Sequence, residues 1–257
     1  MILNKKKGTF FYRFENLAVC QGIDHRVFTR NSGLSQHPFA SLNVAFGIGD
    51  EKENVVQNRN IISRSMALGD LIFVRQVHGI TIAELSMDGR GLGHETAHEP
   101  FTADAMLTDR AHKYLVIQVA DCQAVLMYET ARRVAANVHC GWRGSIQNIL
   151  GLTVETMKQR FDCNPENIQA GIGPSLGPCC AEFINYKTEI PQNLWRYKDS
   201  NHYFDFWSVS RDQLMRAGVP KKNIELSRIC TSCRTDEFFS YRAEKTTGRF
   251  AAVIGLK

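Results

Sequence analysis

The sequence predicts an α+β fold built of layers, in which strands outnumber helices about two to one. Short apolar, β-prone runs recur along the chain, and few of them alternate strictly with helical patterns, which argues against a doubly wound parallel sheet. Of the 257 residues, 44% are hydrophobic and 22% are charged, which is ordinary for a globular protein. No Pro/Ser-rich linker or repeat divides the chain. We therefore expect one domain over residues 1–257, with residues 1–19 as a candidate peripheral N-terminal segment.

The strands are predicted by short runs of apolar or β-branched residues bounded by polar or glycine-containing turns. In chain order these runs lie at 25–29, 41–46, 71–79, 80–85, 103–109, 114–129, 168–172, 224–229, 238–241 and 250–254, with a further run at 134–138. The run at 114–129 is interrupted by Asp121 and Cys122, which splits it into two strands. An Asp-Cys pair inside such a run is costly unless both groups have partners.

The helices are predicted by apolar residues at steps of three and four. One such stripe predicts a helix over 51–66, where Asp50 is placed to cap the first turn. A second stripe predicts a single helix from about Arg143 to Phe161. A third helical pattern begins at Cys179, and a fourth spans 206–217. The polar, glycine-rich stretch at 86–102, which contains His94 and His98, is interpreted as a surface loop.

Charge and hydropathy exclude several classes of partner. The formal net charge is +5, and the basic residues are scattered apart from the run Lys5 to Lys7, so nucleic acid is not indicated. Small anionic ligands remain compatible with this charge. No apolar run approaches the roughly 20 residues of a membrane helix. The N-terminus also lacks the unbroken apolar segment of a secretory signal, and we expect a cytoplasmic protein.

Eight cysteines are spaced irregularly, and a chain of this length does not need disulfides to fold. Cys230 and Cys233 form one C-x-x-C pair. Because no second such pair exists to complete a zinc ribbon, we interpret this one as incidental.

The stretch Val134 to Ser145 organises the rest of the sequence. His139 lies where a predicted strand ends, Gly141 and Gly144 allow a tight turn, and a helical pattern follows at once. A histidine at a helix N-terminus suits an anion or a metal site, because free backbone N–H groups and the positive end of the helix dipole point there. A buried strand end with an incidental histidine is the alternative.

Two further predicted strands end in similar chemistry, at Gln76 and His78 and at Asp121 and Cys122. His78, Cys122 and His139 offer two imidazoles and one thiolate, which suits zinc with a fourth position open for water or substrate. The same side chains also suit a thiol nucleophile with a histidine base. Unrelated core residues are the third interpretation.

Seven motifs together resemble the YfiH-like family, also labelled multicopper polyphenol oxidase or laccase-domain proteins. In the sequence they read SLNVAFGIGDEKENVVQNR, RQVHG, TADAMLTD, VADCQAVLMYE, NVHCGWRGS, GIGPSLGPCC and CTSCRTDEFFSYRAEKTTGR. The resemblance covers about Cys20 to Gly255. It implies a single layered α/β/β domain related to the catalytic domain of cytotoxic necrotizing factor, a thiol deamidase.

The resemblance also implies a function and a set of site residues. Family members convert purine nucleosides (adenosine, inosine, guanosine and methylthioadenosine) and phosphate to base and ribose 1-phosphate, and they deaminate adenosine. Zinc is implied at His78, Cys122 and His139, with copper as the alternative metal. The implied catalytic residues are Cys122, His139, Asp121 and Arg143, and those implied to hold substrate or phosphate are Arg59, Arg143 and Gln76. Asp121 would orient a ligand or take a proton, with a structural hydrogen bond as the alternative role.

Two other functions stay open from the sequence. One is a Cys-His thiol hydrolase or amidase that acts on an amide or a peptidoglycan precursor. The other is the polyphenol oxidase of the family label, which is chemically doubtful because none of the eight histidines are paired as H-x-H. A lone His2Cys set could hold one copper but could not by itself reduce oxygen by four electrons. The sequence gives no oligomeric state.

Overall fold

The computed structural model describes residues 1–66, 69–85 and 101–257. The predicted loop with His94 and His98 lies outside these residues except at its last two positions. The strands of the described residues are β1 (Ile2–Lys6), β2 (Thr9–Arg13), β3 (Ile23–Phe28), β4 (Asp70–Phe73), β5 (Ile82–Leu85), β6 (Ala105–Thr108), β7 (Lys113–Val119), β8 (Gln123–Glu129), β9 (Val134–Cys140), β10 (Ile168–Ile172), β11 (Ile224–Leu226) and β12 (Phe250–Leu256). The α-helices are α1 (Glu15–Ala18), α2 (Lys52–Ser65), α3 (Trp142–Ile146), α4 (Ile149–Phe161), α5 (Tyr186–Glu189), α6 (Phe206–Arg216) and α7 (Tyr241–Glu244).

The strands form two sheets of mixed direction. The first sheet has the order β1-β2-β3-β12-β7-β4, and the second has the order β11-β10-β8-β9-β6-β5. Most neighbours are antiparallel, and the parallel pairs are β4 with β7, β5 with β6, and β10 with β11. A mixed architecture of two sheets with several helices agrees with the α+β prediction.

The main core lies between the two sheets. On β7, Leu115 and Ile117 share this core with Leu126 of β8, whereas Tyr114 and Val116 point to the opposite face of the first sheet. This alternation is the period of two that places successive strand side chains on opposite faces. Each fully buried Leu or Ile contributes about 1.5–3 kcal/mol. The strand runs are apolar on both faces because both faces are covered.

Helices cover the outer faces of both sheets. Ile62 of α2 packs in one cluster with Tyr114 and Val253 of the first sheet. On the other side, Leu150 of α4 and Leu214 of α6 pack against the second sheet. Beyond the α/β/β layers that the resemblance implies, the structure has a further helix, α2, on the outer face of the first sheet.

The helix predicted from Arg143 to Phe161 is wrong in one respect, because the structure divides it into α3 and α4. Asn148 adopts a left-handed conformation with φ 59° and caps α4 by accepting a hydrogen bond from the Gly151 N–H. The apolar stripe continues across this break, so periodicity alone did not reveal it.

Three other predicted elements also differ from the structure. The segment at 41–46 and the segment at 238–241 contain no strand, and the turn at Cys179 does not begin a helix. Phe238 and Phe239 are nevertheless fully buried. Their apolar pattern therefore reflects core packing by an irregular segment.

The N-terminal residues belong to the first sheet. β1 and β2 form an antiparallel hairpin at its edge, and Phe14 and Leu17 are fully buried in the main core. The division into one domain with a peripheral segment at 1–19 stays a prediction. Among the described residues, no helix has both the length and the apolar character needed to cross a membrane.

The chain passes from the first sheet to the second in two connections that share one end of the molecule. β4 and β7 are parallel neighbours in the first sheet, so their C-terminal ends lie side by side. β4 leads to β5 and β7 leads to β8, both in the second sheet. His78 lies in the first connection, and Asp121 and Cys122 lie in the second. This topology brings residues distant in sequence to one place.

Candidate active site and metal centre

His78, Cys122 and His139 converge at this end of the sandwich. Their potential ligand atoms all lie within 4.8 Å of one another. The Cys122 Sγ lies 3.7 Å from the His78 Nε2, and the two imidazole rings meet edge to face with centroids 4.8 Å apart. The three side chains that the sequence singled out therefore form one cluster.

His139 reaches the cluster through the register of the second sheet. β8 and β9 are antiparallel, and His139 pairs with Ala124, two residues after Cys122. The end of β9 thus lies beside the start of β8. His139 is buried, Cys122 is half-buried and His78 is exposed, so the cluster has one open side.

Asp104, which is fully buried, orients both histidines. Its Oδ1 lies 2.8 Å from the His139 Nδ1, which leaves Nε2 of that ring to face the cluster. The same carboxylate accepts the backbone N–H groups of His78 and Gly79, at 2.9 and 2.7 Å. These bonds hold the turn in which His78 adopts a left-handed φ of 61°. Carboxylates that hold metal-binding histidines in this way commonly strengthen metal binding.

Gly141 allows the ligands to approach closely. A Cβ at this position would lie 2.9 Å from the His78 Cδ2 and 3.1 Å from the Cys122 Sγ. Both distances are shorter than ordinary van der Waals contact. Glycine is therefore required here by space, and the φ of −74° makes no demand for it.

The electrostatics of the cluster favour a charged Cys122. Burial opposes ionisation of this thiol, but the neighbouring imidazoles of His139 and His78 outweigh it and lower its pKa to about 6. Burial likewise opposes protonation of His139, yet the Cys122 thiolate and the Asp104 carboxylate raise its pKa to about 9. Although burial disfavours its charge, the pKa of Asp104 is held below its usual range by His139 and the Gly79 N–H. The thiolate is the form that binds metals and attacks electrophiles.

Asp121 is held by the closing segment of the chain. Its Oδ1 accepts hydrogen bonds from the hydroxyls of Thr231 and Ser240, both at 2.7 Å, and its Oδ2 accepts the Arg242 N–H at 2.6 Å. Its φ of 86° is unusual for a residue with a side chain. These contacts agree with the structural role considered for Asp121, and its catalytic role stays a prediction.

A cleft of about 1580 Å³ opens over the cluster. Among the described residues, eight basic side chains line it, including Arg59, Arg143 and Arg249, against the acidic Asp70 and Asp121. Asp70 is paired with Lys113, which leaves the cleft with an excess of positive charge. Such a lining attracts anions, and its low-dielectric walls strengthen that attraction.

Arg59 is fixed between two aromatic rings at the wall of the cleft. Its guanidinium lies 3.7 Å from the centroid of Phe73 and 4.3 Å from that of Phe46. Its Nε donates to the Val44 carbonyl at 2.9 Å. Burial lowers its pKa to about 10, so the group stays charged at neutral pH. A charge held in this way is preorganised to receive an anion.

Arg249 was missed by the sequence reasoning although it lines the same cleft. Its backbone carbonyl accepts the Val44 N–H at 3.1 Å, and its Nη1 donates to the carbonyls of Thr247 and Gly248. It is thus tied to the segment that holds Arg59. No periodicity or spacing in the sequence marks Arg249, and its only signal is its place in the last motif.

The other predicted contacts to substrate are placed differently. Arg143 is exposed on α3, with its guanidinium 4.3 Å from the centroid of Trp142, and it lines the cleft. The helix expected to supply an anion site there has only five residues, which weakens the dipole argument. Gln76 also lines the cleft, but both atoms of its amide bond the backbone of Gln118 at 2.9 Å. Its orientation is therefore fixed by the protein.

The donor set of the cluster fits one metal ion. Two imidazoles and one thiolate with an open side match a catalytic zinc site and would also accept a single copper. In the described part of the chain, the other group of potential ligands consists of four cysteines at 179, 180, 230 and 233. A trinuclear copper cluster rich in histidine is not found among the described residues.

Comparisons with known proteins point to one family. A family model described as multi-copper polyphenol oxidoreductase laccase matches residues 24–257. The chain is 34% identical over 242 residues to the purine nucleoside phosphorylase YlmD of Geobacillus stearothermophilus, covering 89% of this chain and 88% of that protein. It is 32% identical over 243 residues to the purine nucleoside phosphorylase YfiH of Escherichia coli, covering 89% of this chain and 91% of that protein. The crystal structure of YlmD from Geobacillus stearothermophilus matches with a TM-score of 0.86 and 30% identity, over 100% of this chain and 99% of that one.

Proposed function

This chain belongs to the multi-copper polyphenol oxidoreductase laccase family, and we propose that it acts there as a metal-dependent purine nucleoside phosphorylase. Relatives at 34% and 32% identity carry the name purine nucleoside phosphorylase. The substrates would be adenosine, inosine, guanosine or methylthioadenosine together with phosphate. Adenosine deamination would occur at the same site.

The observation that carries this proposal is the position of the His78, Cys122 and His139 cluster beneath a cationic cleft. Phosphorolysis needs an anionic nucleophile next to the ribose of a nucleoside. The excess of basic side chains supplies attraction for phosphate, and the cleft volume of about 1580 Å³ leaves room for both substrates. A site built only for an uncharged substrate would not need this lining.

The chemistry divides between a metal ion and the side chains of the cleft. A metal held by His78, Cys122 and His139 would supply a Lewis acid that polarises an oxygen of the bound reactant. Zinc is the metal that we propose, with copper as the alternative. Asp104 fixes the His139 ring, and the Gly141 backbone leaves space for the ligands.

We assign phosphate binding to Arg59 and Arg143, joined by Arg249. A phosphate oxygen forms a bond to C1′ of the ribose while the C1′–N bond to the base breaks, and the base leaves with a proton. Guanidinium groups hold phosphate through paired N–H donors and keep it oriented for this attack. Phe73 and Phe46 hold Arg59 in place.

Zinc-loaded protein supplied with inosine and phosphate tests this proposal. Hypoxanthine release should be measurable in the wild type and lost in His139→Ala, which removes a metal ligand. Glu155→Gln, a change to an exposed side chain on α4, should leave the rate unchanged. Full activity in wild-type protein stripped of metal by a chelator would overturn the proposal.

A thiol hydrolase or amidase is the second candidate. The Cys122 thiol lies beside two imidazoles, which favours this candidate. The relation to the catalytic domain of cytotoxic necrotizing factor that the family resemblance implies also supports it, because that domain is a thiol deamidase. Its substrate would be an amide or a peptidoglycan precursor. Iodoacetamide should label Cys122 rapidly in a thiol enzyme, but only after chelation if the sulfur holds a metal. Assays on muropeptides and nucleosides side by side would rank the two candidates.

Polyphenol oxidation, as in the family description, has less support. Oxygen reduction by four electrons needs several coppers, and the described residues offer one His2Cys group and one group of four cysteines. Neither group contains the many histidines of a trinuclear copper cluster.

A further inference from the structure

Four cysteines form a second cluster, separate from the proposed active-site metal ligands. Cys179 and Cys180 lie in the turn after β10, and Cys230 and Cys233 lie in the turn after β11. Their Sγ atoms all lie within 4.8 Å of one another, with Cys233 3.6 Å from Cys179 and 3.5 Å from Cys180. The C-x-x-C interpreted as incidental thus finds its second pair in adjacent cysteines that the sequence spacing did not mark.

These distances fit four thiolates around one ion. In a tetrahedral site with metal–sulfur bonds of about 2.3 Å, neighbouring sulfurs lie about 3.8 Å apart. A disulfide requires a sulfur–sulfur distance of about 2.05 Å. An iron–sulfur cluster places several atoms between its thiolates and would hold them further apart. Four sulfur donors in this arrangement favour zinc over harder cations.

The backbone of the two turns is built for close approach. Ser175 pairs with Cys230 in a parallel bridge, and the Gly177 N–H donates to the Cys230 Sγ at 3.3 Å. A Cβ on Gly177 would lie 2.8 Å from the Trp207 ring and 3.1 Å from the Cys230 Cβ. Glycine is therefore required here by space. A sulfur that receives a backbone N–H is also stabilised as a thiolate.

Burial provides a path for a metal. Cys179 and Cys233 are exposed, Cys180 is half-buried and Cys230 is buried. The cluster therefore opens to solvent on one side and is anchored in the protein on the other. A metal ion could therefore enter from the solvent side, at Cys179 and Cys233, and bind the buried Cys230 on the other side.

The cluster joins one wall of the cleft, formed by Leu176, Ala181 and Phe183, to the turn at 230–233 that leads to Arg242, which also lines the cleft. Arg242 donates through Nη1 to the carbonyls of Cys180 and Glu182, both at 3.1 Å, and its backbone N–H donates to Asp121. Thr231, one residue after Cys230, also donates to Asp121. Fixing the two cysteine turns to each other would therefore fix the contacts of the residue that precedes Cys122.

We propose that Cys179, Cys180, Cys230 and Cys233 bind one structural zinc ion, which holds this wall of the cleft in place. The site has four protein ligands and no open position, as structural zinc sites do. It is independent of the metal at His78, Cys122 and His139. It does not depend on the activity proposed for the cleft.

Metal analysis of protein expressed with zinc and then extensively dialysed tests the proposal. The wild type should hold about two zinc ions per chain, and Cys233→Ser and His139→Ala should each lose a different one. In His139→Ala, X-ray absorption should show the remaining zinc with sulfur ligands only, at about 2.3 Å. If the wild type holds no metal at the proposed active site, it should contain about one zinc ion per chain, bound by the four cysteines. Cys233→Ser should then lose this ion, and His139→Ala should retain it.

Controls separate ligation from folding and from disulfide formation. Cys20→Ser, at a half-buried cysteine outside the cluster, should retain both ions. Cys233→His supplies another zinc ligand at the exposed position and should retain the second ion even if the serine variant does not fold. Thiol titration of denatured, unreduced, chelated protein should find all eight cysteines free. Zinc content equal in Cys233→Ser and the wild type, or a thiol count reduced by disulfides at these positions, would overturn the proposal.

Discussion

The Asp104 Oδ1 lies 2.8 Å from the Nδ1 of His139, in a part of the structure where neither side chain is open to solvent. The same carboxylate holds the backbone of His78, so one buried group positions two of the three proposed metal ligands. A carboxylate that orients a ligand histidine fixes its tautomer and strengthens its donor nitrogen. We therefore treat Asp104 as a positioning residue of the site.

Asp104→Asn should weaken zinc binding about 10- to 100-fold. The amide keeps the size of the side chain but removes the charge that supports His139. Zinc affinity measured by competition with a chromophoric chelator checks this, and Glu155→Gln serves as a carboxylate control on the helix surface. Unchanged affinity in Asp104→Asn would show that the contact does not act on the metal.

Gly141→Ala should damage the same site by crowding. The added Cβ would lie 2.9 Å from His78 and 3.1 Å from the Cys122 sulfur, and overpacking of this kind costs about 1–3 kcal/mol. Zinc affinity should fall about tenfold or more. Gly79→Ala is the matched control, because its Cβ would meet Asp104 at an ordinary 3.4 Å. Equal affinities in the two variants would contradict the steric argument.

Arg59→Ala should impair the binding and reaction of phosphate more than those of the nucleoside. Loss of a preorganised donor to a reacting anion lowers a rate by about 100-fold or more. Hypoxanthine release from inosine should fall by this order with a raised KM for phosphate, whereas ammonia release from adenosine, which needs no phosphate, should change far less. Arg143→Ala should act in the same direction.

Arg132→Ala serves as the arginine control, since Arg132 is exposed and paired with Asp162 away from the residues that line the cleft. It should leave both reactions unchanged. Equal losses of base release and ammonia release in Arg59→Ala would indicate a general defect of the site and would remove the phosphate assignment.

His25 should make stability depend on pH. Its ring is fully buried, and its Nε2 accepts the Phe14 N–H at 2.9 Å. Burial, assisted by the charges of Arg13 and Arg26, lowers its pKa to about 3. The folded protein therefore keeps this histidine neutral, while the unfolded chain takes up a proton below about pH 6.5. The stabilising effect of neutral His25 is therefore fully present above about pH 6.5 and is lost as the pH falls toward the pKa of about 3 in the folded protein.

Because of His25, the free energy of unfolding should fall by about 2 kcal/mol as the pH is lowered from about 7.5 to 5. Urea unfolding at both pH values measures it, and His25→Gln should show a pH dependence smaller by this amount. His37→Gln, at an exposed position, should retain the wild-type dependence. The same dependence in His25→Gln and the wild type would exclude this source.

Much of the fold and the proposed ligand set could be predicted from the sequence. Apolar runs marked most strands because these strands are buried on both faces. Polar residues that interrupt or follow these runs marked His78 and Cys122, which lie in connections between strands, and His139 near the end of β9. Convergence of the three could be inferred only as a hypothesis, because it depends on β4 and β7 lying side by side. Periodicity could not reveal the left-handed Asn148, since a helix break changes the backbone without changing the apolar stripe.

Other features depend on contacts that no local pattern contains. Asp104 acts through the backbone N–H groups of a turn more than twenty residues earlier in the chain. Arg249 reaches the cleft because its backbone pairs with Val44, far away in sequence. Cys179 meets Cys233 only when the turns after β10 and β11 lie together. Spacing rules for metal ligands apply within one segment and miss such pairs.

The measurement that tests the central claim most directly is the identity of the sugar released from inosine. Zinc-loaded wild-type protein should release hypoxanthine only when phosphate is present, with about one ribose 1-phosphate formed for each base, because phosphate is the nucleophile. Hypoxanthine release that continues at the same rate without phosphate and yields free ribose would contradict the account, since it would identify water as the nucleophile and the protein as a hydrolase.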